Sequence, residues 1–174
     1  LDSSNTQALE KAMRMYNGKA MINSVNGKQS SMSEVFPLVQ KYGGVVVCLC
    51  LDEGGIPETA EGRIKIAKKI IKTAESYGID KKDLVVDALV MTISTNKDNA
   101  KETLKAVDYI RHELGVGTVL GVSNISFGLP KREAINTAFF TLALKAGLSA
   151  GIINPLSESM MNAYYSYNAL EGFD

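Results

Sequence analysis

Short carboxylate and carboxamide side chains recur where apolar, β-rich runs of this sequence give way to loops. They are Asp2, Asn23, Asp52, Asn124 and Asn154, and Asp87 interrupts a similar run at residues 84–90. In parallel α/β folds the ligand-binding residues lie at the carboxyl ends of the strands. An ionised carboxylate offers two acceptor oxygens, so these residues suit a ligand edge that carries adjacent N–H donors.

Asp87 is the most informative of these residues because apolar triplets flank it on both sides. Burial of a carboxylate is costly unless the group is hydrogen-bonded or paired. The pattern leaves two interpretations open, a structural carboxylate satisfied by the protein or a carboxylate that faces a ligand. For Asp2 and Asn23 the alternative is ordinary capping of the next helix, and for Asn124 it is a turn within its loop.

The composition gives little support to nucleic-acid binding, membrane insertion or metal binding. Lys and Arg total 19, as do Asp and Glu, so the basic excess typical of a nucleic-acid binder is absent. No apolar run reaches the ~18 residues that predict a membrane span, and the polar start Leu1–Asn5 does not resemble a signal peptide. Two cysteines, Cys48 and Cys50, are too few to predict a zinc site, so no metal centre is expected. These features predict a cytoplasmic protein that binds neither membranes nor nucleic acid.

The elements that must position these side chains alternate between strands and helices. A capping box at Ser31–Glu34 predicts the start of the second helix, and Pro155 predicts the start of the last. Strands are predicted at residues 1–2, 20–25, 45–51, 84–90, 116–122 and 151–153, and helices at 6–16, 31–42, 64–74, 104–114, 131–146 and 155–170. This βα alternation predicts an α/β fold with a parallel sheet and no division into further domains.

Several motifs, taken in order, resemble those of the pterin-binding methyltransferases. The most specific is Ser123-Asn124-Ile125-Ser126-Phe127-Gly128-Leu129-Pro130-Lys131-Arg132-Glu133. The others are Asp2–Asn5, Ile22–Gly27, Leu51–Pro57, Asp87–Leu89 and Ile152–Pro155. Within the family, the similarity is greatest to the methyltetrahydrofolate-binding domain of cobalamin-dependent methionine synthases.

The resemblance implies a (β/α)8 TIM barrel that binds 5-methyltetrahydrofolate. It implies transfer of the N5 methyl group to the Co(I) corrinoid (cobalamin) of a partner domain or protein. The family's pterin-binding residues fall on Asp2, Asn23 and Asp87, and its asparagine near N5, the catalytic residue, falls on Asn124. Lys131 and Arg132 are hypothesised to meet the anionic glutamate tail of the folate, with a solvated helix start as the alternative.

Three alternatives to this function stay open at the level of sequence. They are a methyltetrahydrofolate:corrinoid/iron–sulfur protein methyltransferase, a dihydropteroate synthase-like enzyme and a non-catalytic folate-binding module. The Ser-Arg-Lys-type phosphate motif of the synthases is not found in the sequence, which favours the methyltransferases.

The length suggests an incomplete barrel. A (β/α)8 barrel typically needs about 250 residues, whereas this sequence has 174. With six predicted strands, residues 1–174 are expected to form a single partial domain that lacks the first two βα units and most of the third strand. The unpaired strand edges predict poor stability or self-association into a homo-oligomer.

Overall fold

The structure, a computed structural model, describes residues 1–173. Its helices are α1 (Thr6–Met15), α2 (Gln29–Tyr42), α3 (Ala60–Ser76), α4 (Asn99–His112), α5 (Arg132–Lys145) and α6 (Glu158–Glu171). Its strands are β1 (Met21–Asn26), β2 (Val45–Leu49), β3 (Leu84–Asp87), β4 (Gly117–Gly121) and β5 (Ala150–Ile152), and short 3₁₀ turns lie at Lys81–Asp83 and Val122–Ser126.

All five strands are parallel and lie in the sheet in chain order, β1-β2-β3-β4-β5. Right-handed crossovers between successive neighbouring strands place the helices on one face of the sheet, as in a (β/α)8 barrel. The predicted α/β barrel class is therefore confirmed. Residues 1–2 do not form the full strand that was predicted. They contribute an isolated parallel bridge between Asp2 and Asn23.

The core lies between the sheet and the helices. The strand residues Ile22, Val46, Cys48 and Val86 have no exposed surface. On α3 the fully buried Ala67, Ile70 and Ala74 form the apolar stripe that the helical period predicts. Within the described chain, no helix is long and apolar enough to cross a membrane.

The two helix starts predicted from a capping box and from a proline are wrong, because polar groups near each start are used in other hydrogen bonds. Helix α2 begins two residues early, at Gln29, because the Ser31 hydroxyl accepts a hydrogen bond from the Asn26 N–H (3.1 Å). Helix α6 begins at Glu158 rather than Pro155. The Asn154 side chain and carbonyl instead accept the N–H groups of Leu156 and Ser157, both at 3.1 Å, in a turn that delays the helix.

Two strand ends also differ from prediction, and both concern candidate site residues. β3 ends at Asp87 instead of continuing to Val90, so Asp87 is a strand-end residue and not an interruption. β1 continues past Asn23 to Asn26, because the pairing with β2 shifts register between Asn23 and Val25 and then resumes. Asn23 therefore lies at an irregularity inside its strand.

Candidate functional site

The Asp87 carboxylate lies buried at the carboxyl end of β3, with 8% of the residue exposed. Its Oδ1 accepts the Leu89 N–H at 2.7 Å, and residues 1–173 provide no other hydrogen bond to this carboxylate. Leu89 adopts a φ of 60°, which is uncommon for a leucine and turns the chain sharply around the carboxylate. One oxygen thus accepts a backbone N–H, and the other accepts no hydrogen bond from the described residues.

Burial also sets the charge of this group. It raises the pKa of Asp87 from 3.8 to about 6, while the Leu89 N–H and the Arg63 guanidinium act in the opposite direction. The carboxylate is therefore ionised at neutral pH and can accept hydrogen bonds. A buried, perturbed carboxylate at the end of a parallel strand is typical of a functional site.

Asp2 and Asn23 lie side by side. The Ser3 N–H donates to the Asn23 carbonyl (3.1 Å), and the Asn23 N–H donates to the Leu1 carbonyl (2.8 Å). Both residues line a cavity of about 360 Å³ whose other polar walls are mostly serines and asparagines of the adjoining loops.

Helix capping does not account for these two side chains. Asn5 caps α1, its Oδ1 accepting the Ala8 N–H at 3.0 Å, and Lys28 occupies the position before α2. In the described part of the chain, neither the Asp2 nor the Asn23 side chain makes a hydrogen bond. The capping alternative is therefore wrong for both residues, and their polar groups are free to meet a ligand.

Asn124 is exposed in the 3₁₀ turn that follows β4. Its amide makes no hydrogen bond within residues 1–173, so the turn-forming alternative is also wrong for its side chain. Gly121 makes room for this amide, because a Cβ there would lie 3.2 Å from the Asn124 Nδ2. The side chain is presented at the strand end without an internal partner.

Arg132 holds the turn that carries Asn124. Its Nε donates to the Ser126 hydroxyl (3.0 Å), its Nη2 donates to the Ser123 carbonyl (2.9 Å), and its guanidinium lies 4.6 Å from the centre of the Phe127 ring. The buried Ser126 hydroxyl in turn donates to Asn136 Oδ1 at 2.7 Å. Arg132 therefore binds the Ser123 carbonyl on one side of Asn124 and the Ser126 side chain on the other. Sequence reasoning missed this role, although the Ser-x-x-Ser spacing around Asn124 offers the polar partners.

Lys131 faces a different region from Arg132. It is exposed, has a φ of 51°, and lines a surface cavity between α5 and α6 together with Glu133 and Glu158. The structure thus separates the two basic residues that the sequence treats as a pair.

Asp52 and Asn154 are the strand-end residues that the structure does not bring into the site. Asp52 Oδ1 accepts the Gly54 N–H at 2.9 Å, and Asn154 Oδ1 accepts the Leu156 N–H at 3.1 Å. Both side chains stabilise their own turns. This use separates them from Asp2, Asn23 and Asn124.

The sheet fixes how far apart the remaining residues lie. Asn23 on β1 and Asp87 on β3 are separated by one strand, or about 10 Å at the usual strand spacing. The loops that follow β3 and β4 are joined, since the Ile93 N–H donates to the Ile125 carbonyl (3.0 Å) and the Thr92 hydroxyl donates to the Phe127 carbonyl (2.7 Å). The site is therefore an arc of polar groups along one rim of the sheet.

The buried thiols do not contribute a nucleophile to this rim. Burial raises the pKa of Cys48 to about 12 and raises the pKa of Cys50 further, so both are neutral thiols at physiological pH. No group of three or more His, Cys, Asp or Glu side chains in the described chain is arranged to hold a metal ion. The rim thus presents hydrogen-bonding groups rather than a nucleophile.

Comparisons with known proteins identify the family of the chain. A family model described as pterin binding enzyme matches residues 1–154. A methionine synthase of Mycobacterium tuberculosis is 34% identical over 176 aligned residues, which cover 93% of this chain and 15% of that protein. A methylcorrinoid:tetrahydrofolate methyltransferase of Eubacterium limosum is 28% identical over all of this chain and 65% of its own length.

A solved structure shows the same fold. FolP, a dihydropteroate synthase of Clostridium difficile solved in the presence of pteroic acid, superimposes with a TM-score of 0.75 at 22% identity, over 97% of this chain and 65% of that one. The chain therefore spans just under two thirds of this structure and of the Eubacterium relative, and a much smaller part of the methionine synthase.

Proposed function

We propose that the chain, which belongs to the pterin-binding methyltransferase family, binds 5-methyltetrahydrofolate. We propose further that residues 1–174 act as one partial barrel domain that presents the N5 methyl group to a corrinoid on a partner domain or protein, as in cobalamin-dependent methionine synthesis. The observation that carries this proposal is the buried Asp87 carboxylate, with one oxygen held by Leu89 and the other free.

The edge of a pterin matches that carboxylate. A pterin carries an N3–H and a 2-amino group side by side, and an ionised carboxylate accepts both in a bidentate arrangement. The Asp87 oxygen that accepts the Leu89 N–H keeps a second lone pair for one of these two donors. The pKa of Asp87 near 6 keeps the group charged at neutral pH. Asp2 and Asn23, across the neighbouring strand, supply acceptors and donors for the remaining ring nitrogens.

Asn124 acts at the reacting end of the ligand. A reduced corrinoid supplies the nucleophile for methyl transfer, so the chain needs no Ser, Cys or Lys for attack. The difficulty lies in the leaving group, because an unprotonated tertiary amine leaves poorly. A hydrogen bond from Asn124 to N5 that strengthens as the C–N bond breaks lowers the barrier without a shifted pKa.

The corrinoid partner, a cytoplasmic location and self-association remain proposals that accompany this function. The net charge supports a small-molecule ligand, because 19 basic residues balance 19 acidic ones and leave no net positive charge to attract nucleic acid.

Replacement of Asn124 tests the function most directly. We expect Asn124→Ala to slow methyl transfer from 5-methyltetrahydrofolate to a reduced corrinoid by about 100-fold, the usual loss on removal of one transition-state donor. Folate affinity, measured by calorimetry, should fall only a few-fold. Asn162→Ala, on the exposed surface of α6, is the matched control and should leave both quantities unchanged.

Two results would contradict the proposal. Failure of the folded chain to bind 5-methyltetrahydrofolate would exclude the ligand, and binding with no transfer to any reduced corrinoid would support a non-catalytic folate-binding module.

A dihydropteroate synthase-like activity is the second candidate, supported by the shared fold of FolP. Condensation of p-aminobenzoate with a pterin pyrophosphate would establish it. The methyltransferases named among the relatives favour the first candidate, and an iron–sulfur corrinoid protein as acceptor would distinguish the two methyltransferase forms.

A further inference from the structure

Phe127 is an exposed aromatic residue at the end of the turn that carries Asn124. It is 50% exposed, whereas the preceding Ile125 and Ser126 are buried. Single exposed apolar side chains are common on proteins, but this ring lies on the rim beside a candidate site residue. Contact with a ligand there would remove apolar surface from water, which favours binding.

Phe127 and Asn124 lie on the same side of the turn. The Phe127 N–H donates to the Asn124 carbonyl at 3.4 Å, which is the hydrogen-bond pattern of a 3₁₀ turn. Such a turn has three residues per turn, so side chains three positions apart lie one above the other. Both of these residues are exposed, while Val122 and Ile125, also three apart, are buried. The turn therefore presents the Asn124 amide and the Phe127 ring together and packs its other side into the core.

The loop that follows β3 and the start of α5 hold Phe127 in place. Its carbonyl accepts hydrogen bonds from the Thr92 hydroxyl (2.7 Å) and the Ser94 hydroxyl (2.9 Å). The Arg132 guanidinium lies over the ring, 4.6 Å from its centre, and still leaves half of the residue exposed. A side chain that is already fixed loses little conformational entropy when a ligand binds. The ring is thus a preorganised apolar surface next to Asn124.

We propose that the Phe127 ring packs against the p-aminobenzoyl ring of 5-methyltetrahydrofolate. In this ligand the p-aminobenzoyl arm is attached through C9 to C6, the carbon next to N5. Because Asn124 is the residue assigned to N5, a side chain on the same face of its turn lies where the arm leaves the pterin. Two aromatic rings gain from burial of their surfaces and from their mutual electrostatics. The inference rests on the proposed folate-binding function and deepens it by naming the residue that meets the arm.

Three ligands that differ only in the arm test this contact. 5-Methyltetrahydropterin lacks the arm, 5-methyltetrahydropteroate has the p-aminobenzoyl group, and 5-methyltetrahydrofolate also has the glutamate tail. Their affinities are measured by calorimetry for the 174-residue chain and for Phe127→Ala. The unaltered chain should bind the pteroate about tenfold more tightly than the pterin, the scale of one buried aromatic pair. Phe127→Ala should lose this preference, bind the pterin as before, and weaken equally toward the pteroate and the folate.

Further variants separate the ring from the fold of the turn. Phe127→Tyr keeps the aromatic face and should retain the preference for the pteroate. Phe127→Leu keeps an apolar side chain but loses the flat face, so it should lose part of the preference. If Phe127→Ala does not fold, as judged by circular dichroism, Phe127→Leu decides by itself. Tyr165→Ala removes an aromatic residue of similar exposure (58%) on α6 and is the matched control, with no change expected.

Three outcomes overturn the inference while leaving the proposed function intact. One is an unaltered chain that binds the pterin and the pteroate equally. Another is an equal loss of affinity for all three ligands in the Phe127 variants, which would show that the ring only supports the turn. The third is unchanged affinities with slower methyl transfer to a reduced corrinoid, which would assign the ring to the corrinoid instead. An unaltered chain that binds none of the three ligands would overturn the proposed function itself, and the inference with it.

Discussion

Asp87 meets two demands that oppose each other. Its burial favours the neutral acid, as the pKa near 6 records, whereas recognition of a pterin edge needs the charged form. The Leu89 N–H and the Arg63 guanidinium offset part of the free-energy cost of burying this charge. The remaining cost means that stability alone would not favour a carboxylate at this position. Such a conflict is expected where a residue serves binding rather than stability.

The stability of Asp87→Asn tests this conflict. The folded-state pKa of Asp87 lies above its ordinary value, so the native state binds the proton more tightly and stability falls as the pH rises from 3.8 to about 6. Above that window the ionised carboxylate costs about 3 kcal/mol. Asp87→Asn keeps an acceptor for the Leu89 N–H and should raise the free energy of unfolding at pH 7.5 by about 1–3 kcal/mol in urea titrations.

The same substitution should abolish folate binding, because an amide cannot accept both donors of the pterin edge. At pH 4, where the native carboxyl is already neutral, the stabilising effect should vanish. A variant that is less stable at pH 7.5 would mean that Asp87 is a structural carboxylate, the alternative that the sequence leaves open.

At the scale of elements, the turn after β4 and the start of α5 act as one unit. Arg132, in the first turn of α5, holds Ser123 and Ser126 on either side of Asn124, and Ser126 is anchored to Asn136 one turn further along the helix. This arrangement gives Arg132 a task within the protein. Positioning of Asn124 is therefore an alternative to the hypothesis that Arg132 binds the glutamate tail.

Two ligands distinguish these roles for Arg132. We expect Arg132→Gln to slow methyl transfer by about tenfold to 100-fold through misplacement of Asn124. The loss should be similar with 5-methyltetrahydrofolate and with 5-methyltetrahydropterin, which lacks the glutamate tail. Arg111→Gln, at an exposed arginine of α4, is the matched control and should leave the rate with both ligands unchanged. A loss of rate confined to 5-methyltetrahydrofolate would instead support a contact between Arg132 and the glutamate tail.

At the scale of the molecule, the sheet ends in two open edges. β5 is three residues long and exposed throughout, and on the opposite side only the Asp2–Asn23 bridge flanks β1. Apolar side chains lie in and just after β5, among them Ile152 and Leu156, which are 58% and 89% exposed. Unpaired edges with apolar neighbours favour pairing with another chain.

Self-association of the 174-residue chain is the corresponding prediction. Sedimentation velocity from about 1 to 100 μM should show an average mass that rises with concentration, because pairing of the open edge follows mass action. Ile152→Lys places a charge on that edge and should shift the distribution toward the monomer. A single monomeric species at every concentration would contradict the prediction.

The local sequence pattern was sufficient to predict most of the secondary-structure elements of this protein. The apolar stripe of α3 and the runs at residues 45–51 and 84–90 predict a helix and two strands correctly in kind, because side-chain period and β-branching act within a few residues. The two strands start where predicted and end two and three residues early. The polar residues at strand ends also predict the rim, since parallel strands bring their carboxyl ends to one edge of the sheet. The resemblance of the Ser123–Glu133 motif predicts the family, which the family match confirms.

What only the tertiary structure decided is which polar groups are free and which are occupied. Asp52 and Asn154 differ from Asn23 and Asn124 in having a local N–H to accept. The buried Arg63 guanidinium finds one of its acceptors in Thr103, 40 residues away. Such partners lie outside any local window, and their geometry depends on the packing of whole elements. The sequence by itself therefore determined the fold class and the candidate residues, and the packing decided the charge and availability of each.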